Sequence, residues 1–506
     1  MIELDGGSLT LAQLEAIADG YETVSLHPEA ASRVDRARAI VDEKARAEEP
    51  VYGINTGFGA LAETAVPRDS LDQLQVNLLR SHAAGVGEPL PVRVVRATMA
   101  LRANVLAKGF SGIRRETLER LIQLLNQRVH PRVPSRGSVG ASGDLAPLAH
   151  LALVLIGEGE ASVADSAATF SGREALRRVG IEPVRLEAKE GLALINGTQP
   201  STAIAALALA TAERLARAAD IAVSLSLDTL RGSVRPFDAR IHPARSHAGQ
   251  AVSAGNVRRL LEGSTINKSH EHCGRVQDAY SLRCAAQVHG AARDALGYVR
   301  ASLLTEANAA TDNPMVFTDA SDILSGGNFH GAPVAVAADL LAIAIAQLAT
   351  ISERRSDRLV NPALSDLPPF LTSESGLQSG YMMAQVTAAA LVSEIKTLAH
   401  PASVDTIPTS ANREDHVSMS MGAALKAERA VALAVRVIGV EILCACQAID
   451  LLAPLTTSPR LQRVHAQVRE RVPPLSGDRP PSPDIERIAA MIEDGSLEAS
   501  CAGEVK

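Results

Sequence analysis

Residues 137–150 read GSVGASGDLAPLAH, and within that run Ala141-Ser142-Gly143 has the residue types with which a backbone can be turned into an electrophile. Attack of the Gly143 amide nitrogen on the Ala141 carbonyl closes a five-membered imidazolone. Loss of the Ser142 hydroxyl as water then leaves an exocyclic methylidene, a tool no unmodified side chain supplies. Glycine permits the tight approach because it has no Cβ to clash. Serine carries the hydroxyl that leaves, and alanine is small enough to be bent into the ring. Taken alone, Ala-Ser-Gly arises by chance in a chain this rich in Ala and Gly, where it reads as a loop before a helix.

The elements that must position this tripeptide are helices. Asp144 and Pro147 suit a first helical turn and residues 145–156 carry an apolar body, so the spacing predicts the tripeptide at a helix N-terminus. There the partial positive charge of the helix end would draw electron density from an imidazolone. Segments poor in Gly and Pro at 202–227, 339–352, 384–400 and 422–452 predict long helices, each several times the length of a strand. Alternation is too brief to demand a large sheet, and short ribbons near 51–57 or 161–170 stay open. Pro- and Gly-rich runs such as GSVRPFDARIHP, LSDLPPF and VPPLSGDRPPSPD punctuate the helices, the last leading to a final helix at 484–493. The chain is read as mainly α, with residues 1–200 forming a region that carries the reactive loop and residues 201–506 a long-helix bundle. No linker is clean enough to separate them into independent domains.

Composition narrows the partners. The chain has 506 residues, 46% of them hydrophobic, which is ample for a large core. A formal net charge of −7 argues against a nucleic-acid footprint and for a small-molecule partner. Aromatic residues are only 2% and Trp is absent, so Ala, Leu, Val and Ile must fill the core, which suits closely packed helices. Five cysteines, Cys273, Cys284, Cys444, Cys446 and Cys501, are odd in number and irregular in spacing, as reduced thiols are. The opening MIELDGGSLTLAQLEAIADG is acidic and lacks an apolar core, so it is no secretory signal, and a cytoplasmic protein is expected. Residues 333–351 approach membrane-spanning length, but Asp339 and Gln347 interrupt them and SERR follows, which predicts a helix buried among helices.

The tripeptide run, with YGINTGFG at 52–59, resembles the aromatic amino acid ammonia-lyase family, whose members build a 4-methylidene-imidazol-5-one group (MIO) from Ala-Ser-Gly. Further similar runs cover nearly the whole chain. The resemblance implies an elongated helical subunit, a homotetramer whose active sites each draw on three chains, and MIO as the sole cofactor, formed here from Ala141, Ser142 and Gly143. It also implies covalent catalysis in which the substrate amine is made a competent leaving group while a base takes the β-proton. That base corresponds to Tyr280 in VQDAYSLRC, with Arg283 as the residue that holds the substrate carboxylate, a task suited to a guanidinium fork. If the segment is helical, the two share a face. Tyr52 matches a second active-site tyrosine. Asn196 in LINGTQ and Gln277 match amides that bond the imidazolone or the carboxylate, and Phe329 in SGGNFHGAP matches a pocket aromatic.

The ring-facing positions bear on substrate. A buried imidazole needs polar partners, because an unpaired ring nitrogen costs on the order of 1–3 kcal/mol. SHAAG at 81–85 and ANREDH at 411–416 resemble the versions found in members that act on histidine, with His82 and Glu414 facing the ring and Met382 packing nearby. The implied reaction is loss of ammonia from L-histidine to give trans-urocanate. A phenylalanine or tyrosine ammonia-lyase, or an aminomutase, is the alternative within the family. Arg413 stands where Gln is usual and Ile395 where Asn is usual, and Arg413 could neutralise Glu414. Outside the family, a metal site from His270, His272, Cys273 and Cys284 matches neither HExxH nor paired CxxC spacing. A silent helical scaffold is disfavoured by Ser142, Tyr280 and Arg283 occurring together.

Overall fold

The computed structural model describes residues 1–47, 50–57, 59, 64, 66–270, 276–501 and 503–506. Among them, 19 α-helices and nine strands of at most four residues make the chain mainly α. The chain divides into two compact units: Met1–Leu207 with Arg300–Asp339 and Pro401–Leu425, and Ala208–Val299 with Leu340–His400 and Lys426–Lys506.

The first unit is organised around the helix Val92–Ala107, buried on every side from Val94 onward. Two arginines inside it do structural work. Arg96 donates to the carbonyls of Ile17 (3.0 and 2.8 Å) and Leu125 (3.1 Å), near the C-terminal ends of the helices Leu11–Ala18 and Arg115–Asn126. Arg102 donates to Ala193 and Asn196 (2.7 Å), at the end of Glu190–Ile195. Each cation thus meets carbonyls at helix C-terminal ends, where the backbone is electronegative. Burial pushes both guanidiniums down to about 10, still charged at neutral pH. Among the described residues, all four small sheets belong to this unit, including the ribbon in which Glu160–Val163 pairs with Val129–Pro131 and with Phe170–Ser171. Residues 161–170 therefore do lie in a ribbon.

In the second unit, among the described residues, no strand interrupts the helices. Here the Ala- and Gly-rich composition has a direct use. A Cβ added to Gly290 would stand 2.3 Å from the Gln250 amide nitrogen, and one on Gly249 would stand 2.3 Å from the Gly290 carbonyl oxygen. The helices Ala248–Leu261 and Ala285–Ala307 therefore touch backbone to backbone. Elsewhere in the unit, Glu441 accepts from Arg355 (2.6 and 2.8 Å), Ser226 (2.7 Å) and Ser352 (2.6 Å), so a fully buried carboxylate is completely partnered.

The long runs become Gln199–Thr229, Ala332–Val360, Met382–Leu398 and Ser420–Leu451, and the last connector leads into Ser482–Glu493. Proline sets several ends: Pro333 lies in a first turn, and the stretch before Pro362 closes the same helix. In Ala332–Val360, 72% of the most apolar window is buried within the protein, and Arg355 and Glu353 lie in the same helix.

Candidate active site

Ala141-Ser142-Gly143 immediately precedes the helix Leu145–Leu155, as the capping pattern predicts. Gly143 has φ +72°, and an added Cβ would stand 2.3 Å from the Gly197 carbonyl oxygen. That oxygen accepts from the Asp144 amide at 2.8 Å, while among the described residues the Gly143 amide donates to no acceptor. Asp144 does not cap its own helix. Its buried carboxylate instead accepts from Ser138 Oγ (2.6 Å) and from the amide (2.9 Å) and hydroxyl (2.7 Å) of Ser201, in the first turn of Gln199–Thr229. Burial pushes this carboxyl above the ordinary range, opposed by those three donors. The loop before the tripeptide is held too: Gly140 O accepts from Ser418 Oγ (2.8 Å) and the Gly331 amide (3.2 Å).

Across from the tripeptide, Ser142 Oγ donates to Glu414 Oε1 at 2.9 Å, and Thr409 Oγ1 donates to Oε2 at 2.5 Å. The half-buried carboxylate sits on a tight hairpin in which Thr409 and Glu414 exchange main-chain bonds of 3.0 and 3.4 Å. Tyr52 is half-buried as well. Burial raises its phenol above the usual range, the charges of Glu414 and Asp312 add to that, and a hydrogen bond from the Gly59 main chain opposes it. Near neutral pH, Tyr52 therefore keeps its proton.

Asn196 is 3% exposed and donates through Nδ2 to the Asn313 carbonyl at 2.9 Å. Its Oδ1 is buried with no partner among the described residues. Several residues that shape this shelf went unmarked in the sequence. Arg102 donates to Gln199 Oε1 at 2.7 Å, Gln199 Nε2 donates to Thr311 at 2.8 Å, and a fully buried Lys189–Asp312 ion pair (3.0 Å) lies beside Asn313. Burial pushes Lys189 down, with the Asp312 carboxylate opposing. The Ala-rich context gives no signal for these partners, which lie 97 to 123 residues apart.

His82 ends the helix Leu71–His82, and its Nδ1 donates to Leu78 O at 2.9 Å, which leaves Nε2 as the acceptor of the neutral ring. Phe329 is half-buried in the turn after the strand Asp322–Leu324. Tyr280, Gln277, Arg283 and Met382 belong to the second unit. Tyr280 opens a one-turn helix, Tyr280–Arg283, and is 70% exposed, with the Arg283 guanidinium 4.5 Å from its ring centroid. Arg283 Nε is buried without a partner among the described residues. Gln277 is exposed, and Met382 lies in the first turn of Met382–Leu398. Arg413 is exposed and, among the described residues, makes no ion pair with Glu414, while Ile395 is buried. His272 and Cys273 lie outside the described residues.

Known proteins are similar to this chain over its whole length. The chain is 57% identical over 502 residues to a histidine ammonia-lyase of Anaeromyxobacter sp. (strain K), covering 98% of this chain and 99% of that one. Its fold matches the crystal structure of histidine ammonia-lyase from Trypanosoma cruzi with a TM-score of 0.93 at 44% identity, covering 100% of this chain and 96% of the other. A tyrosine aminomutase from Streptomyces globisporus matches with a TM-score of 0.94 at 38% identity, covering 100% and 99%. Fold alone therefore does not choose among these reactions. The sequence profile of the aromatic amino acid lyases matches residues 9–470, and the chain belongs to that family.

Proposed function

We propose that this enzyme is a histidine ammonia-lyase, releasing ammonia from L-histidine without oxidation to leave trans-urocanate, the first step of histidine breakdown. The observation that carries the reading is the 2.9 Å hydrogen bond from Ser142 Oγ to Glu414 Oε1. It joins the serine of the electrophile-forming tripeptide to the carboxylate expected to meet the substrate ring.

The family's cofactor is MIO, and the residues here fit it. Gly143 has a backbone conformation and surroundings that exclude a side chain, and its amide meets no acceptor among the described residues. The unpartnered Asn196 Oδ1 belongs to the neighbour of Gly197, which touches Gly143. When formed, the group supplies an electrophilic carbon that activates the substrate amine for departure. Dehydration of Ser142 leaves Glu414 Oε1 open to accept an imidazole N–H, while Thr409 keeps Oε2. Arg283 grips the α-carboxylate with its guanidinium fork, helped by Gln277 and Asn196. Tyr280 Oη takes the β-proton, and Tyr52, whose half-buried phenol is raised above its usual range, holds its proton at Oη and positions the amine. His82, Phe329 and Met382 line the ring pocket. The enzyme is a cytoplasmic homotetramer, and each active site draws residues from three chains.

The test is to incubate purified protein separately with L-histidine, L-phenylalanine and L-tyrosine, follow the ultraviolet absorbance of the conjugated acid, and measure intact mass. The expected result is urocanate from histidine and a chain lighter by two waters. Ser142→Ala should abolish turnover and restore the unaltered mass while the protein still folds. An unaltered wild-type mass with no unsaturated acid from any substrate would sink the assignment.

A further inference from the structure

Glu414 stands on a strained hairpin that is closed by its own bonds, the Thr409–Glu414 main-chain pair and Thr409 Oγ1 to Oε2, and tied to the rest of the unit by a few contacts. Between Thr409 and Glu414, Ser410, Ala411 and Asn412 adopt φ of 50°, 53° and 67°, three consecutive non-glycine residues in the left-handed region. Left-handed backbone is strained for each of them, so the turn persists because its own bonds and its surroundings together fix it. From outside the segment, Ser142 Oγ reaches Glu414 Oε1 (2.9 Å) and His330 Nε2 reaches the His416 carbonyl (3.1 Å). Farther along, the Met419 amide donates to Val139 O (2.8 Å) and Ser418 Oγ to Gly140 O (2.8 Å). The first of these ties uses the hydroxyl that dehydration of Ser142 would remove. The nearest that remains, two residues from Glu414, is His330.

The chemistry of that tie is fixed by its partners. The Ala332 amide can only donate, and it points at His330 Nδ1 (3.4 Å). The His416 carbonyl can only accept, so the proton of the neutral ring resides on Nε2. The two imidazoles lie parallel, with planes 2° apart and centroids 5.9 Å apart, beside a bond that is itself exposed. His330 is itself anchored next door, since the Gly331 amide donates to Gly140 O at 3.2 Å in the reactive loop. A short path therefore runs from the tripeptide's own loop through Gly331 and His330 to the hairpin.

We propose that His330 is a positioning residue that holds Glu414 in register after the Ser142 hydroxyl is gone, and so sustains the preference for an amino acid bearing an imidazole. This rests on the reading of Glu414 given above. The role acts through main chain, so the His416 side chain is dispensable to it.

The experiment uses the Ser142→Ala protein, which has no hydroxyl at that position and no turnover, and measures binding of L-histidine and L-phenylalanine by calorimetry. Adding His330→Ala should weaken L-histidine by about 3- to 10-fold, the loss of one net hydrogen bond, and shift L-phenylalanine by less than about 2-fold. His330→Gln, whose amide can still donate, should restore the preference, and His416→Ala should keep it. Should the alanine variant not fold, His330→Asn, too short to reach the carbonyl, carries the same expectation. In the otherwise native chain, His330→Ala should still be lighter by two waters. Equal weakening of both ligands, or no weakening of either, overturns the role of His330. If the Ser142→Ala parent itself fails to prefer histidine over phenylalanine, the Glu414 reading falls first and takes this one with it.

Discussion

Replacing Glu414 by glutamine tests the substrate reading at a single atom. In the folded chain Oε2 is engaged by Thr409 Oγ1 at 2.5 Å, whereas among the described residues the partner of Oε1 is the Ser142 hydroxyl, which dehydration removes. In Glu414→Gln the amide oxygen stays with the Thr409 donor, so the amide NH2 faces the position the imidazole N–H would occupy. Two donors then oppose each other where a charged acceptor stood. A hydrogen bond to a charged group contributes about 1.5–3 kcal/mol, so kcat/KM for L-histidine should fall by about 10- to 150-fold. Phenylalanine has no ring donor, and removing a half-buried charge from beside a phenyl ring should leave its kcat/KM unchanged or raise it. Initial rates of urocanate and cinnamate formation, with intact mass confirming that the tripeptide still loses two waters, read both numbers. A decline of the same size for both substrates, or none for histidine, would refute the assignment of Glu414 to the ring.

Gly143→Ala should prevent loss of the two waters and destabilise the protein by about 3 kcal/mol or more, because the new Cβ meets Gly197 O at 2.3 Å in a left-handed backbone; a normal melting temperature with a mature mass would contradict this. Tyr280→Phe should remove most elimination yet shift stability by less than about 0.5 kcal/mol, since the residue is 70% exposed, and a fully active variant would reassign the base. Burial, reinforced by Arg96 and Arg128, pushes His130 down from 6.5 to about 4, so the unfolded chain binds a proton the folded one refuses. Stability from this group is full above about pH 6.5 and declines as pH falls toward 4, by about 3 kcal/mol at the low end. His130→Leu should flatten that part of the melting-temperature profile, and an unchanged slope would rule the residue out.

What could be read from residues alone was chemistry that sits in one run of sequence. Ala141-Ser142-Gly143 and the helix after it are contiguous, so side-chain types and capping pattern were enough to place the tripeptide at a helix start. The long helices were legible for the same reason, three of them with ends displaced by one to three residues; Ala332–Val360 runs seven residues earlier and eight later than expected, out to Pro333 and the stretch before Pro362. Long-range pairing was not legible. Lys189 and Asp312 resemble surface charges until the fold brings them to 3.0 Å, and Arg96 and Arg102 look like solvated residues on a helix buried all round. Nor does spacing reveal that Asp144 spends its carboxylate on Ser201 rather than on its own helix, because the two residues are 57 positions apart.

The backbone contact between Gly249 and Gly290 sets a fixed interval between two helices. Where side chains separate helices, a substitution can be absorbed by rotamer changes; here no rotamer stands between the two main chains. Even one methyl group must prise the helices apart or be rejected, so tolerance at these positions is a step and not a slope. Drift toward larger residues is closed to this seam, and any gain in heat resistance has to be found at other positions in the unit.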